Sequence, residues 1–410
     1  ANTYTGGTTI NGGILSISSD GNLGGVPAST TANAITLSGG ALQASAEVAV
    51  DSKRGITLTS ASGLAATSSN TLTYGGIVTG AFALTINGAS QTGTVLLSGA
   101  NTYSGGTSIS KGVLSVSTGG TSGSIFSTGA VTIGGGTLLG NTTGNTITNT
   151  ITLAAGSNEI AAKSGTSVTF GGVISGAGTG ALTVGDSTNN GTVIFSGTNT
   201  YTGGTAVGPG TLSVSFNSNL GNTSGSLDLS GGNLTFTGSS AQTISRIINV
   251  LSSSTITNSN SGTSPSLTLS STITGPASAT AATLTFAGAN NITVSATIQD
   301  GSGAALAVNQ TGSNTTTLTG ANTYTGGTSV TSGILSVGAD SNLGDVAGVI
   351  NLNGGNLTIT GSSAYSTARS VNVLASSTIT NNNTTASTPV IFSGTVTGPI
   401  SATAANLTLT

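Results

Sequence analysis

Asn199-Thr200-Tyr201-Thr202-Gly203-Gly204-Thr205 is the phrase whose reading decides the fold, because it recurs. It stands again at Asn2–Thr8 and Asn322–Thr328, and at Asn101–Thr107 with Ser104 in place of Thr. A few residues behind each copy comes a short alternating phrase: Ile14-Leu15-Ser16-Ile17, Val113-Leu114-Ser115-Val116, Thr211-Leu212-Ser213-Val214 and Ile334-Leu335-Ser336-Val337. The chain is therefore four copies of one long unit, and a fixed-period repeat outranks any local signal. The units run over 1–99, 100–197, 198–320 and 321–410, the last of them shorter, within one continuous solenoid over 1–410.

The copies begin at Asn2, Asn101, Asn199 and Asn322, so the third interval is the long one. Residues 199–287 align on 322–410 without a gap, with Arg246 on Arg369 and Gly275-Pro276 on Gly398-Pro399. The surplus lies after residue 287 and is close to a quarter of a short unit. That points to a smaller quantum of about 24–25 residues, one turn of a β-solenoid in which each turn stacks only on its neighbours. Inserting a whole turn preserves the stacking register, whereas a fraction of a turn breaks it.

Composition supports this. The chain has 410 residues and 66 Gly, with 4% charged and 3% aromatic residues. Soluble globular domains carry roughly 25% charged residues. Low charge with much Gly, Ser and Thr is also found in disordered chains, but those lack the Val, Ile and Thr abundant here. The net charge is −3 and the six basic residues are scattered, which excludes nucleic-acid binding through clustered Lys and Arg. No apolar run approaches the roughly 18–20 residues of a membrane-spanning helix. There is no Cys, Met, Trp or His, a composition suited to a product made in bulk and released. The first and last residues fall inside repeat phrases, as cuts through a longer array would.

Helical periodicity is missing, and Gly or Asn interrupts almost every ten residues. Ala34-Ile35-Thr36-Leu37-Ser38, Ala83-Leu84-Thr85-Ile86, Ser167-Val168-Thr169-Phe170 and Ser266-Leu267-Thr268-Leu269-Ser270 all alternate. Period two puts aliphatics on one face and hydroxyls on the other. Glycine pairs such as Gly39-Gly40 and Gly231-Gly232 mark the corners between short strands. A sandwich or barrel would also use short strands. The whole-turn insertion, the small inward residues and Asn beside turns, as in Asn258-Ser259-Asn260 and Thr380-Asn381-Asn382-Asn383, favour a solenoid with amides stacked between turns. At about 4.8 Å per turn, about 16–17 turns predict a rod of about 80 Å. Tyr4, Tyr103, Tyr201 and Tyr324 then lie too far apart to stack, and each is expected to close one corner.

Ser98-Gly99-Ala100-Asn101-Thr102-Tyr103-Ser104-Gly105-Gly106-Thr107, followed by Gly112-Val113-Leu114-Ser115-Val116, resembles the autotransporter-associated β-strand repeat. So does Ser19-Asp20-Gly21-Asn22-Leu23-Gly24 with Leu37-Ser38-Gly39-Gly40-Ala41-Leu42. The resemblance covers four copies and the strand-rich stretches between them. It implies an all-β, right-handed parallel β-helix in the passenger region of a secreted or surface-displayed bacterial protein, in the manner of adhesins and stalks.

Chemistry is sparse. Carbohydrate-cleaving β-helices need grouped carboxylates with Lys, Arg or His, and the acidic residues here are dispersed. Glu47, Asp51, Lys53 and Arg54 form the one dense patch, read as a solvated turn or a small salt-bridge cluster rather than a catalytic group. Glu159 with Lys163 reads the same way. Asp20-Gly21-Asn22-Leu23-Gly24 and Asp340-Ser341-Asn342-Leu343-Gly344-Asp345 offer oxygens in turns but match no calcium loop. Asn217-Ser218-Asn219-Leu220-Gly221 has no Asp at all, so Asx-turn geometry is the better reading. Arg246 and Arg369 occupy equivalent places. Each either caps carbonyls at a corner or makes a repeated lateral contact with another rod.

The expectation is a structural, non-enzymatic, extracellular β-solenoid without catalytic, cofactor-binding or metal-ligating residues, serving as a stalk, adhesin passenger or fibre. Its partners are copies of itself, head-to-tail or lateral, or a host or abiotic surface reached through regions outside this segment. The alternative is a carbohydrate-binding or carbohydrate-cleaving β-helix.

Overall fold

A computed structural model describes residues 1–88, 90–117, 128–177, 180–262, 266–384, 388–399 and 404–410. It is all-β, and its compact units are Ala1–Gly204 and Thr205–Thr410. Each unit is a β-solenoid whose strands pair in parallel, turn on turn. In the first, the strands Ile14–Ile17, Ala41–Ala44, Ser62–Ala66, Leu84–Ile86, Thr107–Ile109, Val131–Ile133, Ile151–Leu153 and Ile174–Ser175 form one eight-stranded sheet. In the second, eight strands from Gln242–Ile244 to Leu407–Leu409 do the same.

Alternation becomes columns. Leu42, Leu64, Ile86, Ile109 and Ile133 pair one above the next, and all five are fully buried. Each such side chain contributes about 1.5–3 kcal/mol by leaving water. The hydroxyls between them face outward, as Thr85, Ser108 and Thr132 do. Not every inward residue is small and aliphatic, as the sequence reading had it. Phe170 and Phe195 pair in register and meet edge to face at 6.2 Å, and Phe236 and Phe286 are fully buried in the second unit. Eight Phe in the whole chain look few until half of them are found in the core.

Turn length varies around the expected quantum. Thr94 pairs with Val113, nineteen residues on, and Thr255 with Thr285, thirty residues on. Loops at the corners absorb the difference, and the pairing stays parallel. From Thr8 to Thr107 the chain completes four turns, and from Thr205 to Thr328 it completes five. Amides serve the backbone more than one another: Asn258 Nδ2 donates to Asn291 O at 2.8 Å and Asn290 Nδ2 to Asn260 O at 2.6 Å. Asn372 donating to Asn351 Oδ1 at 2.9 Å is an amide-to-amide step. Among the described residues the only helical elements are the short 3-10 turns Asp20–Leu23, Asn217–Leu220 and Asp340–Leu343, and no helix is long and apolar enough to cross a membrane.

Candidate functional site

The recurring phrase builds a corner in layers. Its Asn reaches back one turn: Oδ1 of Asn101, Asn199 and Asn322 accepts the backbone N–H of Val78, Ile174 and Ile298, each at 2.8 Å. The loop thus takes the place of a strand without leaving the strand below unsatisfied. Tyr103 and Tyr324 turn inward, and their hydroxyls meet Thr107 and Thr328 at 2.5 and 2.6 Å. That closes each corner with a buried, hydrogen-bonded phenol. Burial pushes the Tyr103 phenol up to about 12 against the opposing bond to Thr107, and pushes Tyr324 up as well.

The Asn-Leu-Gly turn forms the next layer. Asn22 Oδ1 accepts from Ser18 N and Ser19 N, Asn219 Oδ1 from Ser215 N and Phe216 N, and Asn342 Oδ1 from Gly338 N and Ala339 N, all between 2.8 and 3.0 Å. This is the Asx geometry expected at these sites. Leu23, Leu220 and Leu343 are buried. The glycine that follows is required twice over. Gly344 has φ +82°, and a Cβ there would lie 2.4 Å from Tyr324 O and 2.8 Å from its ring. Gly24 stands in the same relation to Tyr4.

Arginine completes the corner. Arg54, Arg246 and Arg369 are each 2% exposed. Arg54 donates to Leu23 O, Gly24 O and Gly25 O at 2.7–3.2 Å, and to both Asp20 carboxylate oxygens at 2.9 and 3.2 Å. Arg369 donates to the carbonyls of Asp340, Gly344, Asp345 and Gly348, and its Nε pairs with Asp340 Oδ1 at 2.8 Å. Arg246 holds Leu220 O, Gly221 O and Asn222 O, with Asn217 Oδ1 standing where the aspartates stand. A guanidinium, with five donors in a planar fork, suits a ring of converging carbonyls. The carbonyl-capping reading of Arg246 and Arg369 therefore holds. A lateral contact with another rod is overturned, because the side chains are inside.

The dense patch separates. Glu47 and Lys53 are exposed, Asp51 Oδ1 accepts from Lys53 N at 2.9 Å, and Arg54 joins Asp20. The equivalence of Arg54 with the other two arginines was missed because its turn carries extra residues between Gly25 and Ile35. The signal that finds it is local. Arg54, Arg246 and Arg369 each stand two residues before the first apolar residue of a strand, at Ile56, Ile248 and Val371.

Glu159 faces acid, not Lys163, which is exposed. Glu159 accepts from Thr137 Oγ1 at 2.8 Å and shares an open groove with Asp186, Asn158 and Thr183. Burial raises the Glu159 carboxyl, the Thr137 bond opposes this, and the charge of Asp186 adds to the rise. Burial works upward on Asp186 too, but bonds from Asn189 and Thr188 outweigh it and hold that carboxyl low. The carboxylates of Asp20 and Asp340, in the turns that match no calcium loop, each hold a guanidinium.

Four segments match the passenger-associated-transport-repeat family: residues 1–17, 89–116, 187–214 and 308–337. Each match includes the Asn-Thr-Tyr phrase and the two strands behind it, and the first, third and fourth end before an Asn-Leu-Gly turn. Over 80 residues the chain is 46% identical to an adhesin autotransporter of Brucella suis, an alignment covering 20% of this chain and 2% of that protein. No solved structure matches the chain. The chain is a repeat protein of the autotransporter-passenger type.

Proposed function

We propose that this segment is the load-bearing part of a surface-displayed or secreted passenger, a non-enzymatic stalk that carries adhesive elements. The observation that carries the reading is the repeated corner, in which the Asn of the phrase bonds the strand one turn back and, at three of the four corners, a buried arginine gathers the carbonyls of the turn behind it. Such a structure gains stability from many small repeated terms rather than from one core. The Brucella relative is an adhesin by description, and passengers of this kind act outside the cell. Self-association, end to end or side by side, is the second part of the proposal.

The test is display of the chain on a non-adherent bacterium. Protease-accessible epitopes on intact cells, with attachment to a surface restored only when the flanking passenger regions are present, support a stalk. Attachment by this segment alone makes it the adhesin. Release of reducing sugars from a polysaccharide panel by the purified chain would replace both readings with the carbohydrate-cleaving alternative. Electron microscopy across a concentration series reads out association.

A further inference from the structure

One sheet of the second unit carries an ordered row of hydroxyls. Its register places Thr243, Thr268, Thr293 and Thr317 in a single outward column, which ends where Thr317 pairs with the buried Ser336. Two residues further along the strands, Ser270, Ser295 and Thr319 form a second column, each exposed. The columns repeat at about 4.8 Å from turn to turn and stand about 6.7 Å apart along each strand. Buried Ile244, Leu269, Val294 and Leu318 hold the strands from behind.

The array is regular and pre-set. The sheet keeps its register through all these pairings, while Leu227–Ser230 on Ile248–Ser252 and Ile350–Asn353 on Val371–Ala375 shift. Ser270 Oγ and Ser295 Oγ donate to Ile244 O and Leu269 O of the turn below, at 3.3 and 3.4 Å, which fixes their rotamers. The hydroxyls of Thr268, Thr293 and Thr317 have no partner among the described residues. On another sheet the outward polar groups are tied to one another instead: Asn249 to Asp228 Oδ1 at 2.7 Å, and Thr397 to Asn372 Oδ1 at 2.7 Å.

The chemistry of this patch narrows what fits it. It carries no charge, so an ionic ligand gains nothing there. It carries no aromatic ring on which a sugar could stack. Its hydroxyls sit on a rigid lattice that cannot adapt to an irregular partner, but that loses little freedom on meeting a regular one. The complementary partner is a neutral, periodic array of oxygens that both donate and accept, with room for the threonine methyls between them. The geometry points to ice: we propose that the face centred on Thr268, Thr293 and Thr317 binds the surface of ice crystals. Each hydroxyl adds only about 0.5–1.5 kcal/mol net, and binding comes from many engaged at once. This inference does not depend on the passenger reading.

The experiment grows ice slowly from a dilute solution of the whole 410-residue chain and measures the protein taken into the ice, together with inhibition of recrystallisation. The double variant Thr293→Lys/Thr317→Lys puts two bulky charges on the face. Thr317→Tyr blocks the lattice without charge and with a residue at home in strands, so it serves if the first variant does not fold. Thr152→Lys, exposed in the first unit, is the control. Wild type and Thr152→Lys are expected in the ice, and the face variants reduced roughly tenfold or more, as steric and charge mismatch on a matched face demands. Exclusion of the wild type from ice overturns the proposal, as does uptake of a folded face variant equal to wild type. Retention on crystalline cellulose, lost in the face variants and without ice uptake, would assign the face to a neutral polysaccharide and overturn ice.

Discussion

The corner after Tyr324 and the corner after Tyr103 open with the same phrase and are finished differently. After Tyr324 come Asn342-Leu343-Gly344 and then Arg369, whose guanidinium gathers the carbonyls of that turn. After Tyr103 the sequence from Ser117 to Ser127 contains no Asn-Leu-Gly, and two residues before Ile151, where an arginine would stand, there is Asn149. Asn149 Nδ2 donates to Gly129 O at 2.7 Å. Turn and arginine occur together at three corners and are both missing from the fourth. The physical reason is mutual need. Converging buried carbonyls must find donors, and a buried guanidinium without acceptors is strongly destabilising.

The largest effect should come from breaking that pair. Arg369→Met leaves Asp340 and the carbonyls around Gly344 without their donor, and we expect a loss of about 3–5 kcal/mol. It should be read by thermal melting and by faster amide exchange across Asp340–Gly348. Asn149→Ala should cost only about 1 kcal/mol. Equal losses would abolish the distinction between the corners. Next comes Gly344→Ala, where positive φ and the Tyr324 backbone oppose a methyl group. About 1–3 kcal/mol is expected from the strain alone, against little change for Gly12→Ala, where a Cβ meets nothing.

A smaller effect tests what the two corners share. Tyr103→Phe and Tyr324→Phe each remove a phenol–Thr bond and should cost about 0.5–1.5 kcal/mol, alike at both corners. The Tyr103 phenol, held up to about 12, should stay un-ionised in an absorbance titration at pH 11. Its contribution to stability begins to fall above the ordinary tyrosine value and is lost as pH rises through its own. The smallest effect lies ten residues beyond Asn149, at Glu159. Glu159 is raised in the folded state, so its acid form is favoured there and its ionisation works against folding. Glu159→Gln should raise the melting temperature slightly at neutral pH, and the difference should vanish in acid where the native carboxyl is protonated.

The strands and corners were legible because each has a short-range cause. Alternation in Leu84-Thr85-Ile86 sorts the faces without help from distant residues, and Gly-Gly marks the bends. The arginines were half legible. Their equivalence at 246 and 369 shows in a gapless alignment, but Arg54 is displaced by the longer loop between Gly25 and Ile35, and its burial depends on carbonyls a full turn away. The buried phenylalanines were not legible, because composition counts residues and says nothing of which face they occupy. The acidic pairing of Glu159 with Asp186 was hidden for a similar reason: Lys163 is nearer in sequence, while the parallel pairing of Glu159 with Thr183 brings in the next turn.

The tolerance of turn length has a consequence for how such a chain can change. A step of nineteen residues and one of thirty end in equally unbroken pairing, so peptide spliced into a corner is accommodated outside the stack. The exposed loop at residues 277–281 is a natural grafting point for foreign epitopes or reporter tags. By the same route a lineage can vary the exposed loops while leaving the scaffold beneath untouched.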